Sequence, residues 1–253
     1  MVSASNSVRS ASATARPPLP SDIPELSGAE VAAVYYGQRM GGDFYDFIRV
    51  SPNRVLIGLM DVAGRNLENR SILVAVQQTF RSRGAELLAK EEINEAEAMI
   101  RLCLELNRTV MQAAGGVSSC PAFAGCYRED LGTICYFNAG HTPGLLRDAT
   151  SIMELPATGL PLGLFSHTMC DAPTVALLPS AALLITSRGI IEGKHKNEEF
   201  GLDRLKETFQ QTASDTAKEI CLNVLGQVQQ FMRTPPTHND ITAVALLRAR
   251  TLP

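Results

Sequence analysis

The sequence predicts an α+β domain in which antiparallel sheets are flanked by helices. Three observations carry that expectation. Strand-like segments come in runs, two long amphipathic helical patterns follow the first run together, and the chain closes on a strand after further helices. This order lacks the βαβ rhythm of a parallel sheet. No internal repeat and no Pro/Gly-rich linker beyond residue 24 divides the chain, so one domain over 25–250 is expected behind a disordered leader and lead-in over 1–24.

The first run comprises "AEVAAVYY" (Ala29 to Tyr36), "FYDFIRV" (Phe44 to Val50) and "RVLIGLMDV" (Arg54 to Val62). All three are rich in β-branched and aromatic residues, and "SPN" between the last two is turn chemistry. They are expected to open an antiparallel sheet. Ile72, Val76, Phe80 and Leu87 then recur near the helical period, as do Ile93, Ala96, Ile100, Cys103, Asn107 and Val110. The second half returns to strands. "AFAGCYREDLGTICYFNAG" reads as a hairpin turning on Asp130 and Gly132, followed by short strands near Leu145 and Ile152, then "TVALL" and "ALLITS". Ala217, Ile220, Cys221, Val224, Val228, Phe231 and Met232 form one helical face before the last strand, "ITAVALL".

Bulk properties exclude several function classes. The chain has 253 residues, 45% of them hydrophobic, and a net charge of −3, which gives a sizeable core and no basic stripe for nucleic acid or an anionic membrane. No run approaches the roughly 18 apolar residues that cross a bilayer, and the N-terminus lacks the apolar region of a secretory signal. The six cysteines, Cys103, Cys120, Cys126, Cys135, Cys170 and Cys221, form no CxxC pair. They read as small core hydrophobes rather than zinc ligands or a disulfide framework, which implies a reducing cytoplasm.

Acids gather at strand ends: Asp43 and Asp46 in "GGDFYDF", Asp61 in "LMDVAG" and Asp240 in "HNDIT". Singly, each is explained as a turn former. Brought to one mouth of a sheet, they would offer a hard divalent cation rigid oxygen ligands. At the end of "LLITSRGIIEG" stands a cation, Arg188.

"MGGDFYDF", "GLMDVAG", "YFNAGHTPGLL", "GLPLGLF", "LLITSRGIIEG", "EEFGLDRL" and "NDITAVAL" occur in the order found in the SpoIIE/RsbU-type branch of the PPM (PP2C-like) serine/threonine phosphatases. The resemblance runs from about Pro18 to Arg248. It implies a PP2C-like αββα sandwich of two antiparallel sheets flanked by helices. It also implies a site for two Mn²⁺ or Mg²⁺ ions, where a metal-bound water attacks a phosphoserine or phosphothreonine. Asp61 matches the acid that bridges both metals, the backbone carbonyl of Val62 the adjacent ligand, and Asp43 the acid of the first motif; Asp240 is a weaker candidate.

Other positions depart from the pattern. Where the family carries "TDG", this chain has Ser187, Arg188 and Gly189; the first acid of "DD(I/M)T" is Asn239; and "GHG" after Asp61 is replaced by Gly64, Arg65 and Asn66. Two ligating carboxylates are lost and a permanent cation is gained, so a pair of divalent ions should no longer assemble. The Arg188 guanidinium is expected to take up part of the metal volume and pair with Asp61 or Asp43; the alternative is an Arg188 turned into solvent beside a weak one-metal site on those acids.

Two functions follow from the resemblance. One is a pseudophosphatase, or a strongly impaired phosphatase, that uses the fold to bind a phosphoprotein or partner in a partner-switching pathway. The other is an active Mn/Mg-dependent protein phosphatase acting on a STAS-type anti-anti-sigma protein. His141 in "NAGHTP" is assigned to structure, "GLPLGLF" to a packed turn near the site, and His167, His195 and His238 share no ligand spacing. With no sensor domain ahead of it in this sequence, the domain is expected to receive its regulatory signal from outside the chain.

Overall fold

Val55, Ile57 and Leu59 point to one side of their strand and Leu56 and Met60 to the other, yet all five are fully buried. A strand of period two with both faces buried must lie between two layers. The computed structural model describes residues 23–36, 42–62, 69–212, 215–233 and 240–250. The leader expected over 1–24 therefore lies almost entirely outside the described residues.

In chain order the elements are β1 (Ala29–Tyr36), β2 (Asp43–Ser51), β3 (Arg54–Asp61), α1 (Asn69–Leu88), α2 (Glu95–Ala114), β4 (Ala122–Arg128), β5 (Thr133–Ala139), β6 (Gly144–Arg147) and β7 (Ile152–Leu155). There follow β8 (Thr174–Ala176), β9 (Ala182–Thr186), α3 (Arg188–Ile191), β10 (Lys194–His195), β11 (Glu198–Glu199), α4 (Gly201–Gln211), α5 (Ala217–Met232) and β12 (Ile241–Arg248). One five-stranded sheet runs β1-β12-β9-β6-β7 and the other β2-β3-β4-β5-β8, with antiparallel pairing throughout both.

The three opening strands therefore do not share a sheet, contrary to the sequence expectation. β2 and β3 form a hairpin, whereas β1 pairs along its length with β12, more than 200 residues away, from Ala29 opposite Arg248 to Tyr36 opposite Ile241. Local alternation identifies a strand but carries no information about its partner.

Three apolar layers hold the sheets and helices together. Between the sheets, Val55, Ile57, Leu59, Phe123 and Tyr136 meet Leu183, Ile185, Val244 and Leu246. On the outer face of the β2–β8 sheet, α1 and α2 contribute Val76, Phe80, Met99, Leu102 and Leu106. α4 and α5 cover the other sheet with Leu205, Phe209, Ile220 and Val224. The result is the αββα sandwich. α2 starts on Asn94, whose side chain accepts from Glu97 N, and ends on Gly115 in the left-handed region at φ 66°. α5 is capped by Thr216 in the same way. Among the described residues no helix is long and apolar enough to cross a membrane.

Candidate functional site

β2 begins at Asp43, β3 ends at Asp61, β9 ends at Thr186, and β12 begins just after Asp240. Strands of both sheets thus deliver the three acids to one end of the sandwich. Asp43 and Asp61 are Cα partners at the end of the β2–β3 ladder. The backbones cross closely there: Val62 N donates to Gly42 O at 3.0 Å, and a side chain on residue 42 would have its Cβ 1.9 Å from Val62 O. Glycine is required by that approach.

Bonds between the sheets close the mouth. Thr242 Oγ1, on β12, donates to Asp43 Oδ2 at 2.7 Å. Arg188 Nη2 lies 3.4 Å from Asp61 Oδ2. Behind them, the Ser187 hydroxyl accepts from Thr242 N and donates to Asp240 O, stitching the end of β9 to the start of β12. The Tyr35 hydroxyl, on β1, donates to Asp240 Oδ1 at 2.6 Å. The turn expected after β9 is a single helical turn, α3, which Arg188 opens.

Arg188 combines both orientations considered from the sequence. Its side chain is 53% exposed while its guanidinium reaches Asp61, which is 17% exposed. Nε also stands 3.5 Å from Glu192 Oε1. At 3.4 Å the contact with Asp61 is an ion pair longer than a charge-assisted hydrogen bond, normally about 2.7–2.9 Å.

The electrostatics follow from burial. Removal from water pushes the Asp43 carboxyl up to about 7; Thr242 opposes the shift and the neighbouring Asp61 charge adds to it. Burial also raises Asp61, with Arg188 acting against it and Asp240 reinforcing it. The mouth is a crowd of carboxylates held by one guanidinium and two hydroxyls.

Asp46 is not part of it. Fully buried, it accepts from Arg81 Nε at 2.6 Å and Nη2 at 3.0 Å, and from Phe47 N at 3.0 Å. Three residues from Asp43 on a strand, it falls on the opposite face. Asn239, His238 and the segment Gly64, Arg65 and Asn66 lie outside the described residues.

His141 is a buried turn residue. Its backbone N donates to Asn138 Oδ1 at 2.8 Å, Nδ1 contacts Thr142 Oγ1 at 3.1 Å, and burial pushes its pKa down to about 4. Thr142 in turn donates to Thr186 O, at the root of Arg188. "GLPLGLF" is a packed turn beside the site: Leu162 exchanges backbone hydrogen bonds with Cys120, and the next residue, Pro121, accepts from Asp61 N at 2.9 Å.

Sequence reasoning assigned no role to Tyr35, Thr242 or Asn69. Thr242 sits in the quoted "NDIT" motif, which was a usable signal; Tyr35 reaches Asp240 only because β1 pairs with β12.

Each acid of the mouth, and the Val62 carbonyl, already has a partner within the chain. Thr242 and Arg188 stand on Asp43 and Asp61, Tyr35 occupies Asp240, and the carbonyl expected to ligate, Val62 O, accepts from Asn69 Nδ2 at 3.1 Å. Among the described residues no group of three or more His, Cys, Asp or Glu side chains is placed to hold a metal ion.

Comparison with solved structures agrees on the fold. The RsbU and RsbW domains of a Mycobacterium tuberculosis protein superpose with a TM-score of 0.74 at 23% identity, over 91% of this chain and 62% of that one. The SiaA PP2C domain of Pseudomonas aeruginosa gives 0.71 at 15% identity, over 86% and 85%. The PP2C phosphatase domain of SpoIIE from Bacillus subtilis, with a fragment of its regulatory domain, gives 0.71 at 15%, over 88% and 64%. The chain thus spans less than two thirds of the first and third of these proteins. No curated protein matches it by sequence. The profile of the Stage II sporulation protein E family (SpoIIE) matches residues 51–249, and with most of the sequence inside that match and a PP2C-like sandwich around it, the chain belongs to the SpoIIE family.

Proposed function

We propose that this chain is a pseudophosphatase: a SpoIIE-family phosphatase fold, working in the cytoplasm, that binds a phosphoprotein or a partner-switching component without two-metal hydrolysis. The observation that carries this reading is the Arg188 guanidinium 3.4 Å from Asp61, the acid that the resemblance assigns to both metals. A fixed positive charge there opposes cation binding directly. Loss of one member of a coupled catalytic set commonly removes most of the rate. The fold by itself decides nothing here, because function belongs to the site. The partner class suggested by the resemblance is a STAS-type anti-anti-sigma protein or its kinase-like anti-sigma factor.

The competing reading, an active Mn/Mg-dependent serine/threonine phosphatase, draws on Asp43 and Asp61 still facing each other across β2–β3. Hydrolysis of p-nitrophenyl phosphate with Mn²⁺ separates the two. The wild type and Asp61→Ala are expected to be equally inactive, and Arg188→Asp combined with Asn239→Asp to gain Mn²⁺-dependent turnover. Wild-type turnover that disappears in Asp61→Ala overturns the pseudophosphatase reading.

A further inference from the structure

The end of the sandwich opposite the mouth holds a cation that the candidate site does not use. Arg248 closes β12. Leu246 and Val244, at alternate positions before it, face the gap between the sheets, and a period of two aims Arg248 the same way. Its guanidinium crosses to the other sheet. Nη1 donates to Leu177 O, just past β8, and the group lies on Gly132 of the β4–β5 turn, where an added Cβ would stand 1.8 Å from Nη1. Leu177 N donates to Gly132 O at 2.8 Å, so both contacts belong to one edge of that sheet. Arg248 is 8% exposed.

We propose that Arg248 and Tyr127 form a buried site for a small inorganic anion, of the size and charge of chloride, at the end of the sandwich away from Asp61.

Two buried donors stand ready there. Among the described residues neither Arg248 Nε nor the Tyr127 hydroxyl has a hydrogen-bond partner. β4 leaves the mouth beside Pro121, whose carbonyl receives Asp61 N, and reaches Tyr127 near its other end. The Tyr127 ring lies between the sheets in the same layer as Leu177 and Leu246. The next residue, Arg128, offers its carbonyl to Gly132 N at 2.8 Å, so one turn positions both Tyr127 and the glycine beneath the guanidinium. Burial raises the Tyr127 hydroxyl above its ordinary value, with the Arg248 charge acting against it, and the phenol keeps a proton to donate.

No acid of the fold answers the Arg248 charge. Glu129 has both oxygens occupied, by the Arg49 guanidinium and by Ser27 N, and Asp130 pairs with Arg128. Among the described residues no carboxylate is within ion-pair distance of Arg248. A guanidinium cannot deprotonate, so the charge stays, and a buried charge without a counter-charge is costly. A water could accept from both donors, but it brings no charge and its own two protons need acceptors. A monatomic anion accepts from both and donates nothing. Because Tyr127 is fully buried, the ligand must be small enough to be enclosed, which favours a halide over phosphate or a carboxylate on a larger molecule. Once bound, it would fasten β12 to the β4–β5 turn and to β8, closing the two sheets on each other at this end.

The test melts the full chain in sodium chloride and in sodium gluconate at equal ionic strength, so that general screening is matched. A ligand that binds only the folded state raises the midpoint by mass action, and an increment of about 3 °C that saturates with chloride is expected. It should vanish in Tyr127→Phe, which keeps the ring packed, and in Arg248→Met, and persist in Arg101→Met, which removes an exposed cation instead. Crystals of the wild type soaked in bromide should show an anomalous peak between Tyr127 Oη and Arg248 Nε, a readout that needs no variant. Equal wild-type midpoints in the two salts overturn the proposal, as does a chloride increment that survives in both site variants. So does a bromide-soaked crystal with a water or another group of the chain on those two atoms.

Discussion

Asp43 and Asp61 stand opposite each other at the end of the β2–β3 ladder, so two like-charged carboxyls share one mouth. Burial has lifted Asp43 to about 7, against roughly 3.9 in an unfolded chain. Between those values the folded state keeps a proton that the unfolded state has lost. Stability from this group is therefore full below about pH 4 and falls as pH rises towards 7. Three units correspond to at most about 4 kcal/mol, and water and salt at a half-buried mouth reduce that to roughly 1–2 kcal/mol. Asp43→Asn, which still accepts from Thr242, should melt about 4 °C above the wild type at pH 8 and converge with it below about pH 4. Calorimetry across that range checks the sign; a wild type that gains stability over the variant as pH rises refutes the assignment.

Arg188 is half exposed, so its ion pair with Asp61 contributes little to folding although it governs local charge. Arg188→Ala is expected to cost less than about 1 kcal/mol, a difference that disappears near 1 M salt. The same substitution removes the cation that opposes the burial shift of Asp61. The Asp61 carboxyl should then titrate at higher pH, which carboxyl NMR measures residue by residue; an unchanged midpoint would mean that the guanidinium does not act on Asp61 in solution.

The element list was largely legible because period-two and period-3.6 patterns are local properties. "AEVAAVYY" coincides with β1, and "RVLIGLMDV" runs one residue beyond β3. Pairing was not legible: β1 lies beside β12 because the sandwich closes through a contact between the two ends of the domain, and nothing in residues 29–36 specifies that. Asp46 misled for a related reason. An aspartate near a strand end suggests a mouth, but its position, three residues from Asp43, turns it towards α1 and Arg81. The juxtaposition of Arg188 and Asp61 was accessible only through the ordered motifs, since 127 positions separate them (188 − 61). The hydroxyls of Ser187, Thr242 and Tyr35 were missed because hydrogen bonding by such groups leaves no periodic trace.

Asp46 of the first hairpin pairs with Arg81 of α1, with Asp46 wholly out of water and bonded through both oxygens. Removing one partner strands the other charge. Asp46→Ala and Arg81→Met should each lower unfolding free energy by about 3–5 kcal/mol. Urea denaturation of both variants at pH 7 distinguishes this pair from a surface ion pair, whose removal costs no more than about 1 kcal/mol.

The spacing of Asp43 and Asp61 depends on Gly42 lying against the Val62 backbone, where an added Cβ would meet Val62 O at 1.9 Å and Val62 N at 2.9 Å. Neither neighbour is the end of a flexible side chain, so the strands themselves must part. Gly42→Ala is expected to cost more than about 2 kcal/mol and to break the Val62 N to Gly42 O bond, exposing that amide to hydrogen exchange. Gly226, within α5, provides the control, because an added Cβ there meets nothing within 4 Å. Gly226→Ala should instead stabilise the protein by about 0.5–1 kcal/mol through helix propensity. If both substitutions proved equally mild, the close crossing of β2 and β3 would not be what fixes the two carboxylates face to face.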